Sequence, residues 1–196
     1  MRVHVIYAHP SPTSFTAAVH DRILAGLRSQ AHQIDELDLY AARFNPVLSL
    51  EERAVYFKPG DNLAGIEDYV ERLRTAEALV LCFPTWWYGM PAILKGWFDR
   101  IWVPGIAFHL PETSGPIKRG LTNIRKLAVV TSDGAPRWFM FFYLREPGKA
   151  VLMRGLARLI APGARTHYLG HYDIHHSTPA SRERFLARVD RTFKSF

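Results

Sequence analysis

Residues 78–84 read Ala-Leu-Val-Leu-Cys-Phe-Pro. Six apolar side chains in succession, closed by a proline, describe a strand with no polar face. A strand of that kind belongs in the middle of a parallel sheet with helices over both surfaces. Immediately upstream, Ile66, Tyr69, Val70, Leu73 and Ala76 fall at helical spacing. Immediately downstream, Pro91 to Val103 reads as a helix with proline in its first turn. Its apolar pairs Ile93/Leu94, Trp97/Phe98 and Ile101/Trp102 repeat every four residues. That face is broader than packing on a sheet requires, so part of it is expected to meet a second subunit.

Further outward the same alternation continues. Arg2 to Ala8 is a β-branched apolar run ending at His9-Pro10, a first strand. Thr13-Ser14 caps a helix whose Phe15, Val19, Ile23 and Leu27 form one stripe. His32 to Leu39 is a second strand, and 40–61 is loop with a short helix over 49–56. Lys126 to Ser132 is a fourth strand, stopped by Asp133-Gly134. A helix through Leu152, Gly155, Leu156, Leu159 and Ile160 ends at Pro162-Gly163. Arg165 to Tyr172 is a last strand, and Phe185, Val189 and Phe193 mark a C-terminal helix. Strand and helix therefore alternate five times, which indicates one open α/β domain over 1–196 with a parallel five-stranded sheet and helices on both faces.

Composition excludes several classes. Of 196 residues, 48% are hydrophobic and 22% charged, which is globular and neither disordered nor collagenous. The longest apolar runs, 78–83 and 138–144, fall far short of the ~20 residues of a membrane span. The amino terminus reads as a strand rather than a secretion signal. A lone Cys82 forms no intrachain disulfide and fits a reducing, cytoplasmic setting. Within a buried strand it is a structural thiol rather than a nucleophile. His171, His175 and His176 lack the cysteine or carboxylate spacing of a metal centre, so no metal is expected.

Residues 1–136 hold 14 basic and 14 acidic side chains, and 137–196 hold 11 and 4, so the whole net charge of +7 sits in the last third. That gradient suits either solvated helix faces or a phosphorylated partner. The last helix carries Arg182, Arg184, Arg188, Arg191 and Lys194 with no groove-reading motif, so nucleic acid is not expected.

In an open α/β sheet, ligands bind beyond the carboxyl ends of the strands. Three segments stand there. His9-Pro-Ser-Pro-Thr-Ser-Phe-Thr16 has no glycine and is neither a dinucleotide fingerprint nor a Walker loop. Its hydroxyls lead into a helix, which suits a phosphate or an ordinary N-cap. Pro84-Thr-Trp-Trp-Tyr-Gly-Met90 sets three aromatics at a strand end, where they stack on a planar heterocycle or pack into core. Thr131-Ser-Asp-Gly134 is a small polar turn able to bond a carbonyl edge.

Together, Tyr-Ala-His-Pro-x-Pro-x-Ser-Phe (7–15), Asp-Leu-Tyr (38–40), Phe-Asn-Pro (44–46) and Phe-Pro-x-Trp-Trp-Tyr-x-x-Pro-Ala-x-Leu-Lys-Gly-Trp-Phe-Asp-Arg (83–100) resemble the NAD(P)H:quinone oxidoreductases of the flavodoxin-like fold, the DT-diaphorase relatives. The likeness covers residues 2–134, is most specific at 83–100, and partly returns at 172–185. It implies a flavodoxin-like sheet of order 2-1-3-4-5 and a flavin, FAD with FMN as the alternative. It implies that NAD(P)H passes a hydride to the flavin and leaves, and that a quinone or another planar acceptor enters the same slot, a ping-pong cycle. His9, Thr13, Ser14, Phe15, Thr16 and Ala18 match the phosphate and ribityl loop. Pro84, Thr85, Trp86, Trp87 and Tyr88 match the segment along the ring. Thr131, Ser132, Asp133 and Gly134 match a turn at its polar edge, where backbone N–H groups would stabilise reduced-ring charge. Asp133 replaces a glycine of that turn. Asp99 matches an acidic position near adenine where the flavin is FAD. Trp86, Trp87 and Tyr88 would wall the reacting slot, and Tyr143 is the tyrosine of the stretch that carries a proton-handling tyrosine in animal members. The run 138–143 is outer wall, dimer contact or core. The resemblance implies a homodimer with the pocket at its seam. The alternatives are a flavodoxin-type electron carrier and a flavin-binding regulatory partner of a membrane transporter.

Overall fold

The computed structural model describes residues 1–196. Its strands alternate their side chains between two apolar layers, as period two requires. From β1 (Arg2–Tyr7) and β3 (Ala78–Pro84), Val3, Val5, Tyr7, Ala78, Val80 and Cys82 point to one layer. Ile6, Leu79, Leu81 and Phe83 point to the other. Residues 78–84 are buried throughout, the consequence of a strand covered on both faces.

The first layer is closed by α1 (Phe15–Ser29) and α6 (Pro179–Phe193), which pack side by side. The α1 stripe Val19, Ile23 and Leu27 is buried as its spacing requires. The second layer is closed by α3 (Glu67–Thr75) and α4 (Ala92–Ile101). With β2 (Gln33–Asp38), β6 (Lys126–Ser132) and β7 (Arg165–His171), the sheet is all parallel, ordered β2-β1-β3-β6-β7. In terms of the five main strands this is the expected 2-1-3-4-5.

Three features depart from the sequence reading. The broad α4 face needs no second subunit. Trp97 and Ile101 are fully buried within the chain, and Trp102 nearly so. Segment 39–66, which includes the capping-box helix α2 (Leu50–Val55), lies over this helix. Gly96 permits that approach, because a Cβ there would meet the Pro46 carbonyl oxygen at 2.2 Å. Second, β4 (Phe108–His109) and β5 (Lys118–Arg119) form an antiparallel pair outside the main sheet, too short to leave a periodic signal. Third, the helix expected through 152–160 is not one helix. The four-residue α5 (Pro147–Ala150) runs into a π turn over Val151–Gly155 and a 3₁₀ turn over Leu156–Leu159. Another π turn spans Phe139–Tyr143. No helix is long and apolar enough to cross a membrane.

Candidate functional site

The strand ends bring the three loops together. After β1, the His9 Nδ1 accepts the Ser11 N–H at 3.0 Å, which fixes the ring. That ring lies 6.1 Å from the Trp86 indole at the end of β3. The Ser11 and Thr13 hydroxyls bond each other at 3.2 Å. Ser14 is the N-cap of α1, its Oγ accepting the Ala17 N–H at 3.1 Å. The N–H groups of Phe15 and Thr16 open the helix, where no intrahelical acceptor exists. They have no other partner in the chain. Two free donors, a helix N-terminus and two hydroxyls form a donor set that fits a phosphate. Phe15 and Thr16 contribute through backbone: the Phe15 ring packs edge-on against His171, and Thr16 is buried. Ala18 packs against the α1–α6 apolar layer rather than toward the loop.

After β3 the chain makes a two-residue turn. Trp86 and Gly89 exchange both backbone hydrogen bonds at 3.1 Å, and Trp87 and Tyr88 between them have φ of 49° and 63°. Two successive left-handed residues define a type I′ turn, which ordinarily takes Asn-Gly. A non-glycine residue in that region costs about 1 kcal/mol or more. The chain accepts this strain twice, and the outcome is a Trp87 side chain 95% exposed, between Trp86 and Tyr88 at 41% and 39%.

After β6, the Thr131 and Thr85 hydroxyls bond at 2.9 Å and the Thr85 N–H donates to the Ser132 carbonyl at 2.7 Å. Pro84 and Ser132 stand opposite each other in the β3–β6 register. The turn beyond them differs from the expectation of a row of free N–H groups. The Asp133 N–H donates to the His171 carbonyl at 2.7 Å, and the Ala135 N–H to the Asp133 carboxylate at 2.9 Å. Gly134 alone keeps a free N–H there. Asp133 is buried, and burial pushes its pKa above the ordinary carboxylate range. A Cβ at Gly134 would meet the His175 Nε2 at 2.9 Å.

A cleft of about 520 Å³ results, lined by Thr85, Trp86, Trp87, Tyr88, Asp133, Gly134, Ala135 and His175. Its size is typical of small-molecule sites. His175 is the residue that sequence reasoning missed. Its signal was the loop after the last strand, which joins the other strand-end loops in this topology. Of the three histidines, His171 packs against Phe15 and Phe185, His175 rims the cleft, and His176 bonds Asp173 at 2.7 Å. Two predicted residues stand elsewhere. Asp99 lies on the exposed side of α4, paired with Lys95 at 2.5 Å, and lines none of this cleft. Tyr143 stands one ring outside it, stacked on Phe139, which lies beside Tyr88. The 138–143 run is mostly surface, with Trp138, Phe141, Phe142 and Tyr143 all exposed.

A family model described as flavodoxin-like fold matches residues 1–159. The chain belongs to the flavodoxin-like fold family. Among relatives of this flavodoxin-like chain, an uncharacterized NAD(P)H oxidoreductase, YcaK, of Escherichia coli (strain K12) is 35% identical over 55% of each chain. NAD(P)H dehydrogenase [quinone] 1 of Rattus norvegicus is 32% identical, over 68% of this chain and 54% of its own. The chain thus spans about half the length of the curated relatives it matches. A solved NAD(P)H:quinone oxidoreductase from Methanothermobacter marburgensis superposes with a TM-score of 0.81 at 28% identity, covering 99% of this chain and 98% of that one. The resemblance drawn from 83–100 therefore holds as a likeness to quinone oxidoreductases within the flavodoxin-like fold.

Proposed function

We propose that this protein is a flavin-dependent NAD(P)H oxidoreductase that reduces quinones or similar planar acceptors. The observation that carries the reading is the strained Trp86–Gly89 turn, which holds aromatic surface out of the core and along a largely apolar cleft with a few polar groups at its edge, beside a phosphate-compatible helix start. Strain retained in that form is a mark of function rather than of stability.

A flavin held there would supply hydride chemistry between NAD(P)H and the acceptor, with the second proton of a hydroquinone coming from solvent. The residues present fit such a group. The free N–H groups of Phe15 and Thr16, with Ser11, Thr13 and Ser14, would hold its phosphate. Trp86, Trp87 and Tyr88 would wall the ring, and the Gly134 N–H would face its polar edge. Asp133 lines the cleft with its pKa raised by burial above the ordinary carboxylate range. His175 would close the opposite rim. Tyr143 would act at the acceptor entrance rather than on the ring. FMN suits this chain better than FAD, because Asp99, on which an adenine contact would rest, faces away with Lys95 as its partner.

Trp87 at the cleft and Trp138, Phe141 and Phe142 of the following aromatic run are all exposed, and a homodimer pairing over them would cover them. Residues 1–196 would act as one flavin-binding unit in the cytoplasm. The test is the absorption spectrum of the purified protein after incubation with FMN and desalting, followed by chromatography of the released chromophore. A yellow protein releasing FMN that oxidises NADPH only when a quinone is present agrees with the proposal. A colourless protein with no quinone-dependent oxidation refutes it.

A further inference from the structure

A second recess lies beside β7, the edge strand of the sheet. Two adjoining cavities, of about 190 and 470 Å³, share Arg137, Gly170, Tyr172 and Arg188 as a common wall. Lys149 and Glu146 line the smaller one, Arg184 and Asp173 the larger. The acids of this groove are already matched. Glu146 accepts from Lys149 at 2.6 Å and from the Tyr172 hydroxyl, and Asp173 bonds His176. The two acids of α6, Glu183 and Asp190, face α1 and both pair with Arg22. Arg137, Arg184 and Arg188 make no ion pair among the ten in the molecule, and none of their guanidinium groups donates a hydrogen bond within the chain. Arg137 also helps hold the Glu146 carboxyl below its ordinary range, but three guanidiniums without an ion pair around the larger cavity outnumber its free acids, and the planar fork of arginine suits a phosphate oxygen pair.

The groove and the cleft described above are built on neighbouring segments. Arg137 follows the Asp133–Ala135 turn that lines that cleft. The Asp173 and Ile174 N–H groups donate to the Ala135 and Asp133 carbonyls, each at 3.0 Å, tying the two regions into one unit. Phe141, more than half exposed, gives the groove an aromatic face.

We infer that this groove receives the phosphorylated adenosine of NADPH, with Arg137, Arg184 and Arg188 around its 2′-phosphate. The inference rests on the oxidoreductase reading and adds a coenzyme choice: NADPH in preference to NADH. Arg137, Arg184 and Arg188 are three of the eleven basic residues in 137–196, the segment that carries the net positive charge.

The experiment uses the flavin-loaded protein and a double variant, Arg184→Gln with Arg188→Gln, both sites on the surface of α6. Loss of two charge-assisted contacts is expected to raise the KM for NADPH about tenfold and leave that for NADH unchanged. Calorimetry on the flavin-free protein gives an independent reading with 2′,5′-ADP, 5′-ADP and inorganic phosphate as probes. The expected result is binding of 2′,5′-ADP, lost in the variant, with neither other probe matching it. Equal KM values for NADPH and NADH in the unaltered protein, with no 2′,5′-ADP binding, overturn the inference while leaving the oxidoreductase reading intact. Inorganic phosphate binding as tightly as 2′,5′-ADP overturns the dinucleotide assignment. Arginine-dependent 2′,5′-ADP binding in a protein that oxidises neither coenzyme upholds the groove and removes the redox reading instead.

Discussion

Two tryptophan pairs stand close together in the chain, Trp86 with Trp87 and Trp97 with Trp102, and the fold treats them in opposite ways. Trp97 and Trp102 are sealed in the layer beneath α4, 0% and 5% exposed, in edge-to-face contact with Phe98. Trp86 and Trp87 stand at the end of β3, 41% and 95% exposed. The side chains are identical, so hydrophobicity does not explain the difference. Backbone does. A regular helix points its aromatic face at the sheet, whereas the I′ turn rotates two consecutive residues into left-handed conformation and turns Trp87 outward. The buried pair serves stability. The exposed pair borders a strained turn at Trp87 and Tyr88, the feature on which the proposed site rests.

This contrast breaks most readily through Trp97. Trp97→Ala is expected to destabilise the fold by about 4 kcal/mol, read by denaturant titration. Trp102→Phe is the control, since the buried Trp102 indole N–H has no partner, and a change within about 1 kcal/mol is expected. At the other pair the pattern reverses. Trp87→Ala is expected to leave stability within about 0.5 kcal/mol but to weaken flavin binding roughly tenfold, read by fluorescence titration with FMN. A loss of several kcal/mol in stability there would erase the distinction between the pairs. Trp87→Gly sharpens it further. Glycine meets no penalty at φ of 49°, so this variant should exceed Trp87→Ala in stability by about 0.5 kcal/mol while binding flavin no better.

The smallest effect concerns Asp133. Burial raises its pKa in the folded chain, so the folded state holds the proton to higher pH than the unfolded one. Stability from this group is then lost as pH rises, through a window that starts at the ordinary carboxylate pKa and ends at the raised one. Asp133→Asn keeps an oxygen for the Ala135 N–H and removes the titration. The melting temperature of the parent should fall relative to that of the variant across that window. Parallel profiles would show that Asp133 titrates as a surface acid.

Much of the fold was legible before any coordinates. The 78–84 run demanded a doubly covered strand, and the α1 stripe demanded one buried face. What escaped had physical causes. The β4–β5 pair is two residues per strand, too brief for alternation to register. The apolar spacing at 152–160 is helical, but π and 3₁₀ turns break the backbone ladder without altering that spacing. The breadth of the α4 face was visible, yet spacing carries no information on what covers a face. Here it is segment 39–66, admitted by Gly96, rather than a second chain. In the candidate site, residue type left the hydroxyl loop open between phosphate cradle and N-cap and the aromatic turn open between stacking wall and core, while the structure leaves the Phe15 and Thr16 N–H groups free and the turn's aromatics exposed. His175 was missed because its role depends on Gly134 across the sheet, and Tyr143 was brought too far inward because the Phe139 ring between it and Tyr88 comes from a π turn.

Local rules therefore determined this protein's layers, the parallel alternation of its strands and helices, and the three loops at the strand ends, while the strand order came only with the family resemblance. Such rules act over a few residues, where periodicity, proline and capping leave little choice. Tertiary structure alone decided which N–H groups stayed free, which carboxylates were matched, and which of the five tryptophans faced water. Each of those depends on a partner far away in sequence, and a chain read in one dimension does not contain the distance between them.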